Sequence, residues 1–191
     1  MKTLSKITLT AAALTLLGIA AALAHGDKGK HSDARWKTIV IDMAEDARTA
    51  VPPIGGPLPK RGDTFIINGK LYPGGTLPAG DGLDIDTLTG SIGIFVTRGT
   101  FNFDFSQFLA TGAHPLLSST EYYLFTSTGV SDGEDALMSE GPECCPTTHR
   151  VVLGGTGRYR GVIGEVQQEI LGMNSSSFFN FRFTFTIRSP E

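Results

Sequence analysis

A chain of 191 residues with 16 Lys and Arg against 19 Asp and Glu has a formal charge of −3, and 40% of it is apolar. That length supports one domain with its own core, and the acidic balance excludes the basic patch or stripe of a usual nucleic-acid binder. Twenty-four glycines, ten prolines and twelve phenylalanines suit a β-rich domain with many tight turns, because Gly and Pro punctuate the chain and aromatic residues fill pleated surfaces.

The chain opens "MKTLSKITLTAAALTLLGIAAALAHG". Lys2 and Lys6 form a charged start, an apolar stretch runs from about Ile7 to Ala21, and Ala22-Leu23-Ala24 offers a cleavage site. That layout predicts a secretory signal peptide over residues 1–24 and a periplasmic or secreted destination, with no membrane contact after removal. Cleavage leaves residues 25–191 with 14 basic and 19 acidic residues, a formal −5. Residues 25–35, "HGDKGKHSDAR", lack periodicity and read as a flexible leader.

From Trp36 onward the signals are those of strands. They fall at 36–43, 63–72, 91–105 (with a bulge expected at Gly99), 121–128, 135–140, 148–154, 162–171 and 177–187. Pro/Gly-rich connections follow the first two, and no helical stripe exceeds two turns. Eight strands joined by short turns predict an all-β domain over residues 36–191, a single closed antiparallel barrel. In the last strand Phe179, Phe181, Phe183, Phe185 and Ile187 share one face, opposite Asn180, Arg182, Thr184, Thr186 and Arg188. "FNFDF" repeats the pattern, with Phe101, Phe103 and Phe105 opposite Asn102 and Asp104.

"LGGTGRYRGVIGEV", residues 153–166, looks at first like a phosphate loop. Its glycines are spaced Gly155-x-Gly157-x-x-x-Gly161, one residue too long for a dinucleotide fingerprint, and no Gly-Lys-Ser/Thr follows. Strand-like runs flank it on both sides, so the glycines read as a turn with close-packing positions at a barrel corner.

Three stretches carry a resemblance. "GDTFIINGKLYPGG" (62–75), "SIGIFVTRGTF" (91–101) and the GG-[ST]-G-x-[FY]-x-G turn with the two strands that follow (153–187) together resemble the allene oxide cyclase-like barrel, a fold shared with plant dirigent proteins. The resemblance spans residues 36–188. It implies a small eight-stranded barrel, often dimeric or trimeric, that needs no cofactor. Such a barrel holds a small hydrophobic molecule and dictates how it cyclises or couples, which is catalysis by orientation. The cyclases use a glutamate on the first strand and an asparagine on the second. Here Asp42 stands near the former, while the asparagine position is Gly69, with Asn68 its neighbour.

Other polar residues raise the same choice between lumen and solvent. Glu165, Gln167 and Glu169 share a strand face that could meet Arg182, and Arg98 interrupts an apolar strand. A buried Arg98 would require a carboxylate such as Asp104 or Glu165. Cys144 and Cys145 precede His149; a disulfide, free thiols and a metal site are the alternatives, with too few ligands for ordinary structural zinc. "DGLDIDTLTG" (81–90) has the acidic spacing of a calcium loop without its terminal glutamate, and no metal is expected.

The expectation is an exported barrel that binds a small hydrophobic metabolite and steers its cyclisation or stereoselective coupling. Asp42, Asn68, Arg98 and Glu165 are the candidate catalytic groups, and Phe101, Phe103, Tyr123, Phe181, Arg182 and Phe183 the candidate ligand contacts. The alternative is a non-catalytic secreted barrel that binds a hydrophobic ligand or a protein partner. A roomy lumen with convergent polar groups favours the first, and a lumen plugged by phenylalanines the second.

Overall fold

A computed structural model describes residues 36–53, 56–126, 133–143 and 146–189. The segments expected to be a signal peptide (1–24) and a leader (25–35), and the Cys144–Cys145 pair, lie outside these described residues.

Eight strands run in chain order: β1 (Lys37–Val51), β2 (Thr64–Pro73), β3 (Gly93–Phe101), β4 (Leu117–Phe125), β5 (Asp135–Glu143), β6 (Thr147–Thr156), β7 (Ile163–Met173) and β8 (Phe179–Arg188). Each pairs antiparallel with the next, and β8 returns to β1, so the sheet closes into a barrel without edges. Each strand expected from sequence is present.

Alternation then assigns every side chain to lumen or exterior. Met43 pairs with Leu71 on one side and Phe181 on the other, and the same parity carries Phe95, Tyr123, Leu137, Val152, Val166, Phe183 and Phe185 inward. These residues form the main core, in which Phe95, Tyr123, Phe183 and Phe185 pack edge-to-face and stacked with centroids 4.9–6.4 Å apart. One barrel end, here called the floor, is sealed by Phe125 and Tyr159, whose rings lie 5.1 Å apart. At the other end, the mouth, Ala50, Phe65 and Ile67 form a smaller cluster with half-buried Phe101, Leu117 and Phe178.

The glycine-rich 153–161 segment is the β6–β7 corner. It forms a short 3-10 turn over Gly157–Tyr159, with Gly157 and Gly161 at φ 53° and 71°. A side chain at Gly155 would come within 2.6 Å of Tyr159 Cβ, so the corner closes only around glycine.

Two local expectations are corrected. The third strand ends at Phe101, because Asn102 donates to Pro115 O and Ser118 Oγ and Asp104 accepts the Arg61 N–H, which turns the chain into a short helix α1 (Phe105–Thr111). The shared phenylalanine face of "FNFDF" therefore does not exist. Gly99 is not a bulge either: its register is unbroken on both sides, and it is small because the Phe65 ring packs where a Cβ would sit, 2.6 Å away. The irregularities lie instead between Asp46 and Val51, at Met138/Ser139 and between Ile170 and Gly172.

The β2–β3 connection folds back over the outer face of β1 and β7 as a strap. Leu77 and Ile85 pack on Ala44, Tyr72 and Leu171, and backbone bonds tie Gly80 to Leu171, Gly82 to Met173 and Ser175 to Leu83.

Candidate functional site

Above the aromatic floor the lumen changes character. Thr97, Ser119, Glu121, Ser139, Thr148, Arg150 and Gln168 point inward, and all are buried, as is Glu45. Charged groups this far from water persist only where they are paired or where function retains them.

Arg150 organises this polar layer. Its Nε lies 3.0 Å from Glu121 Oε2 and donates to Ser139 Oγ at 3.2 Å. Nη2 donates to Ser119 O and Oγ at 2.8 and 2.9 Å, while Nη1 reaches Pro142 O and lies 3.6 Å from Glu143 Oε1. Gly141 makes this possible, since a Cβ there would press the Arg150 stem at 3.0 Å. Glu121 also accepts a hydrogen bond from the Tyr123 hydroxyl and a longer one, at 3.2 Å, from Ser139. Ser119 in turn donates to Glu143.

The electrostatics follow from this crowding. Burial pushes the Glu121 carboxyl up to about 7; Arg150 and the Tyr123 and Ser139 hydrogen bonds pull it down, while Glu143 pushes it further up. Glu45 is raised well above the ordinary carboxylate value, first by burial and then by Glu143 and Glu121. Among the described residues no side-chain hydrogen bond relieves it. Tyr123 is likewise raised by burial and by Glu121, and stays a phenol that can donate. A carboxyl that titrates near neutrality beside a fixed guanidinium can give or take a proton at neutral pH. Two further lumen atoms, Thr148 Oγ1 and Gln168 Oε1, are buried without a hydrogen-bond partner.

The residues named from sequence divide by face. Phe181, Phe183 and Tyr123 are in the lumen, and Phe101 lies at the mouth. Phe103 stands off the strands and lines an open groove of about 460 Å³ with Arg61, Phe101 and Pro115. Asp42, Asn68, Arg98, Glu165 and Arg182, named as groups that orient the ligand, all alternate outward, so the open choice between lumen and exterior falls to the exterior for each and none of them reaches a ligand inside the barrel. Asp42 receives Arg182 at 2.8 and 3.0 Å and the Leu77 N–H at 2.8 Å, which clamps the strap. Asn68 bonds Thr49 through its backbone at the β1 irregularity. Arg98 is exposed and lies over the Tyr122 ring, 5.4 Å from its centroid, so it requires no buried carboxylate. Glu165 is exposed on β7. The physical reason is the two-residue period of a strand, in which a neighbour in sequence belongs to the opposite face.

Sequence reasoning passed over Glu45, Glu121, Glu143 and Arg150. A usable signal was there: Glu121 shares parity with Ser119 and Tyr123, and Arg150 with Thr148 and Val152, which puts charge on an otherwise buried face.

A second open groove, of about 680 Å³, runs along β2–β5 at the mouth end, lined by Val51, Pro52, Phe65, Ile66, Arg98 and Ser119 among others. Ser119 is the residue this groove shares with the Arg150 network. Among the described residues no group of three or more His, Cys, Asp or Glu could hold a metal ion.

No family model matches the chain, and no curated protein matches it. Solved structures do. The pterocarpan synthase dirigent protein PsPTS1 superposes with a TM-score of 0.57 at 12% identity, over 82% of this chain and 97% of that one. The pterocarpan synthase dirigent protein GePTS1 superposes with a TM-score of 0.54 at 11% identity, over 82% and 92%. The chain therefore has the dirigent-type barrel fold.

Proposed function

We propose that this dirigent-type barrel is an exported protein that binds a small hydrophobic molecule at its mouth and steers its cyclisation or stereoselective coupling. The observation that carries the reading is the buried Glu121–Arg150–Tyr123 group, set between an aromatic floor and an apolar mouth. The ligand's apolar body rests against Phe65, Phe101, Leu117 and Phe178, and its reacting end meets the polar layer. Glu121 passes a proton to an oxygen that leaves or opens, and Arg150 holds the carboxylate that remains. The rings of Phe181 and Tyr123 limit how the chain of the ligand can fold and stabilise positive charge as it develops. The fold itself names no reaction, since one scaffold hosts many.

A second reading rests on a different observation. The floor half of the lumen is filled by Phe95, Tyr123, Phe183 and Phe185, which suits a barrel that binds without turnover. The outer face adds support for self-association into a dimer or trimer: Val151, Leu153 and Ile163 are exposed on adjoining β6 and β7.

Native mass spectrometry of the exported protein from its own source, without reducing agent, tests both readings. A retained hydrophobic molecule that cyclises with wild-type protein, and at least ~100-fold more slowly with Glu121→Gln, supports the first; general acid–base groups contribute about that much or more. Retention without turnover selects the second, and an empty protein that binds no hydrophobic probe refutes both.

A further inference from the structure

The polar layer carries an imbalance of donors and acceptors. Among the described residues its inward titratable groups are Glu45, Glu121, Glu143, Tyr123 and Arg150. Arg150 is the one cation among them, and it is fully committed. Its guanidinium N–H groups go to Glu121, Ser139, Ser119 and the carbonyls of Gly141 and Pro142, with Glu143 3.6 Å away. A guanidinium has five N–H donors and no acceptor, so nothing remains on it for an incoming anion. A ligand carboxylate entering this layer would face three carboxyl groups with no free positive partner.

The unmet capacity is of the opposite kind. Thr148 and Gln168 are a cross-strand pair on β6 and β7; both are more than nine-tenths buried, and both point into the lumen. Thr148 Oγ1 and Gln168 Oε1 have no partner. Leaving such atoms dry and unpaired is unfavourable, and a donor-bearing ligand removes that cost. Glu45 adds a third acceptor from β1, 4% exposed and without a hydrogen bond to its carboxyl. Three lumen acceptors match the three N–H donors of an ammonium group. Aromatic faces at Phe181 and Phe183, on the strand between β1 and β7, suit the same charge.

We infer that the lumen selects a small apolar molecule bearing a primary amine, whose ammonium head is held by Glu45, Gln168 and Thr148 and whose apolar body points to the Phe65–Phe101–Phe178 mouth. This rests on the ligand-binding reading above and narrows it to a substrate class. Fatty-acid-like carboxylates and phosphates are disfavoured there, because the layer offers them no uncommitted cation. Binding is coupled to ionisation: Glu45 is held in its neutral form by burial and by its carboxylate neighbours, and an ammonium beside it favours the anion. Each amine bound at neutral pH should therefore release a proton to the buffer.

Isothermal titration calorimetry with three matched probes, 2-phenylethylamine, 2-phenylethanol and 3-phenylpropanoate, tests the inference on the leaderless full domain at pH 7. The amine should bind at least 10-fold more tightly than the alcohol, the carboxylate should not bind, and buffers of different ionisation enthalpy should report close to one proton released per amine. Glu45→Gln should abolish both the amine preference and the proton release while retaining alcohol binding, which also shows that the variant is folded. Gln168→Leu should weaken the amine by a smaller factor. Alcohol or carboxylate binding equal to or tighter than amine binding overturns the amine assignment and leaves a ligand-binding barrel standing. The same holds if Glu45→Gln keeps the full amine preference. Failure of all three probes to bind overturns the assignment and the ligand-binding reading together.

Discussion

The buried Glu121 carboxyl makes the stability of the barrel depend on pH in a direction opposite to that of most carboxylates. An ordinary glutamate ionises near 4.5, and in the folded barrel Glu121 is pushed up to about 7 by burial, against the pull of Arg150. The folded state therefore holds a proton that the unfolded chain has already lost. The stability Glu121 contributes is fully present below pH 4.5, falls between 4.5 and about 7, and is gone above that. Two and a half pH units at ~1.4 kcal/mol each amount to about 3 kcal/mol. Glu45 is raised as well and adds loss of the same sign. Asp46 and Asp86 are lowered by Arg48, but they sit near the surface and act below pH 4, outside this window. Urea denaturation from pH 4.5 to 8 measures the effect. The wild-type midpoint should fall steadily towards pH 7. Glu121→Gln should have a visibly shallower profile, with the slope owed to Glu45 remaining. A wild-type profile that is flat or rises to pH 7, or a variant with an unchanged slope, would refute the assignment of a buried, proton-holding Glu121.

Three further perturbations address the parts that hold the site. Phe183→Ala empties a fully buried position in contact with Phe95, Tyr123 and Phe185 and should cost about 3–5 kcal/mol in chemical denaturation. Gly99→Ala forces a methyl against the Phe65 ring and Ser118 O; overpacking of about 1–3 kcal/mol is expected, accompanied by a shifted Phe65 signal in NMR spectra. Asp42→Asn breaks the Arg182 pair and weakens the hold on the Leu77 N–H. It should speed amide exchange and proteolysis within 74–92 while leaving exchange in β4 and β5 unchanged.

Much of the architecture is legible in the sequence because a strand writes itself with period two. Phe181, Phe183, Phe185 and Ile187 could be buried together only on one face of one strand, and the short turns leave antiparallel closure as the solution. The glycines of the β6–β7 corner were readable for the same reason: strands on both sides leave a turn, not a phosphate cradle. The third strand's end was not, because Asn102 and Asp104 find partners at Ser118 and Arg61, remote in the chain.

Period two alone does not say which face is the lumen where both faces carry polar groups. Asp42 and Glu45 lie three residues apart on β1; one clamps the strap outside and the other points into the barrel. Only closure of the sheet decides between them, by fixing the parity of all eight strands at once. The composition of the polar layer is likewise a tertiary fact. Glu45, Glu121, Arg150 and Gln168 come from β1, β4, β6 and β7, and their shared chemistry comes from a low-dielectric interior that no single segment of sequence can describe.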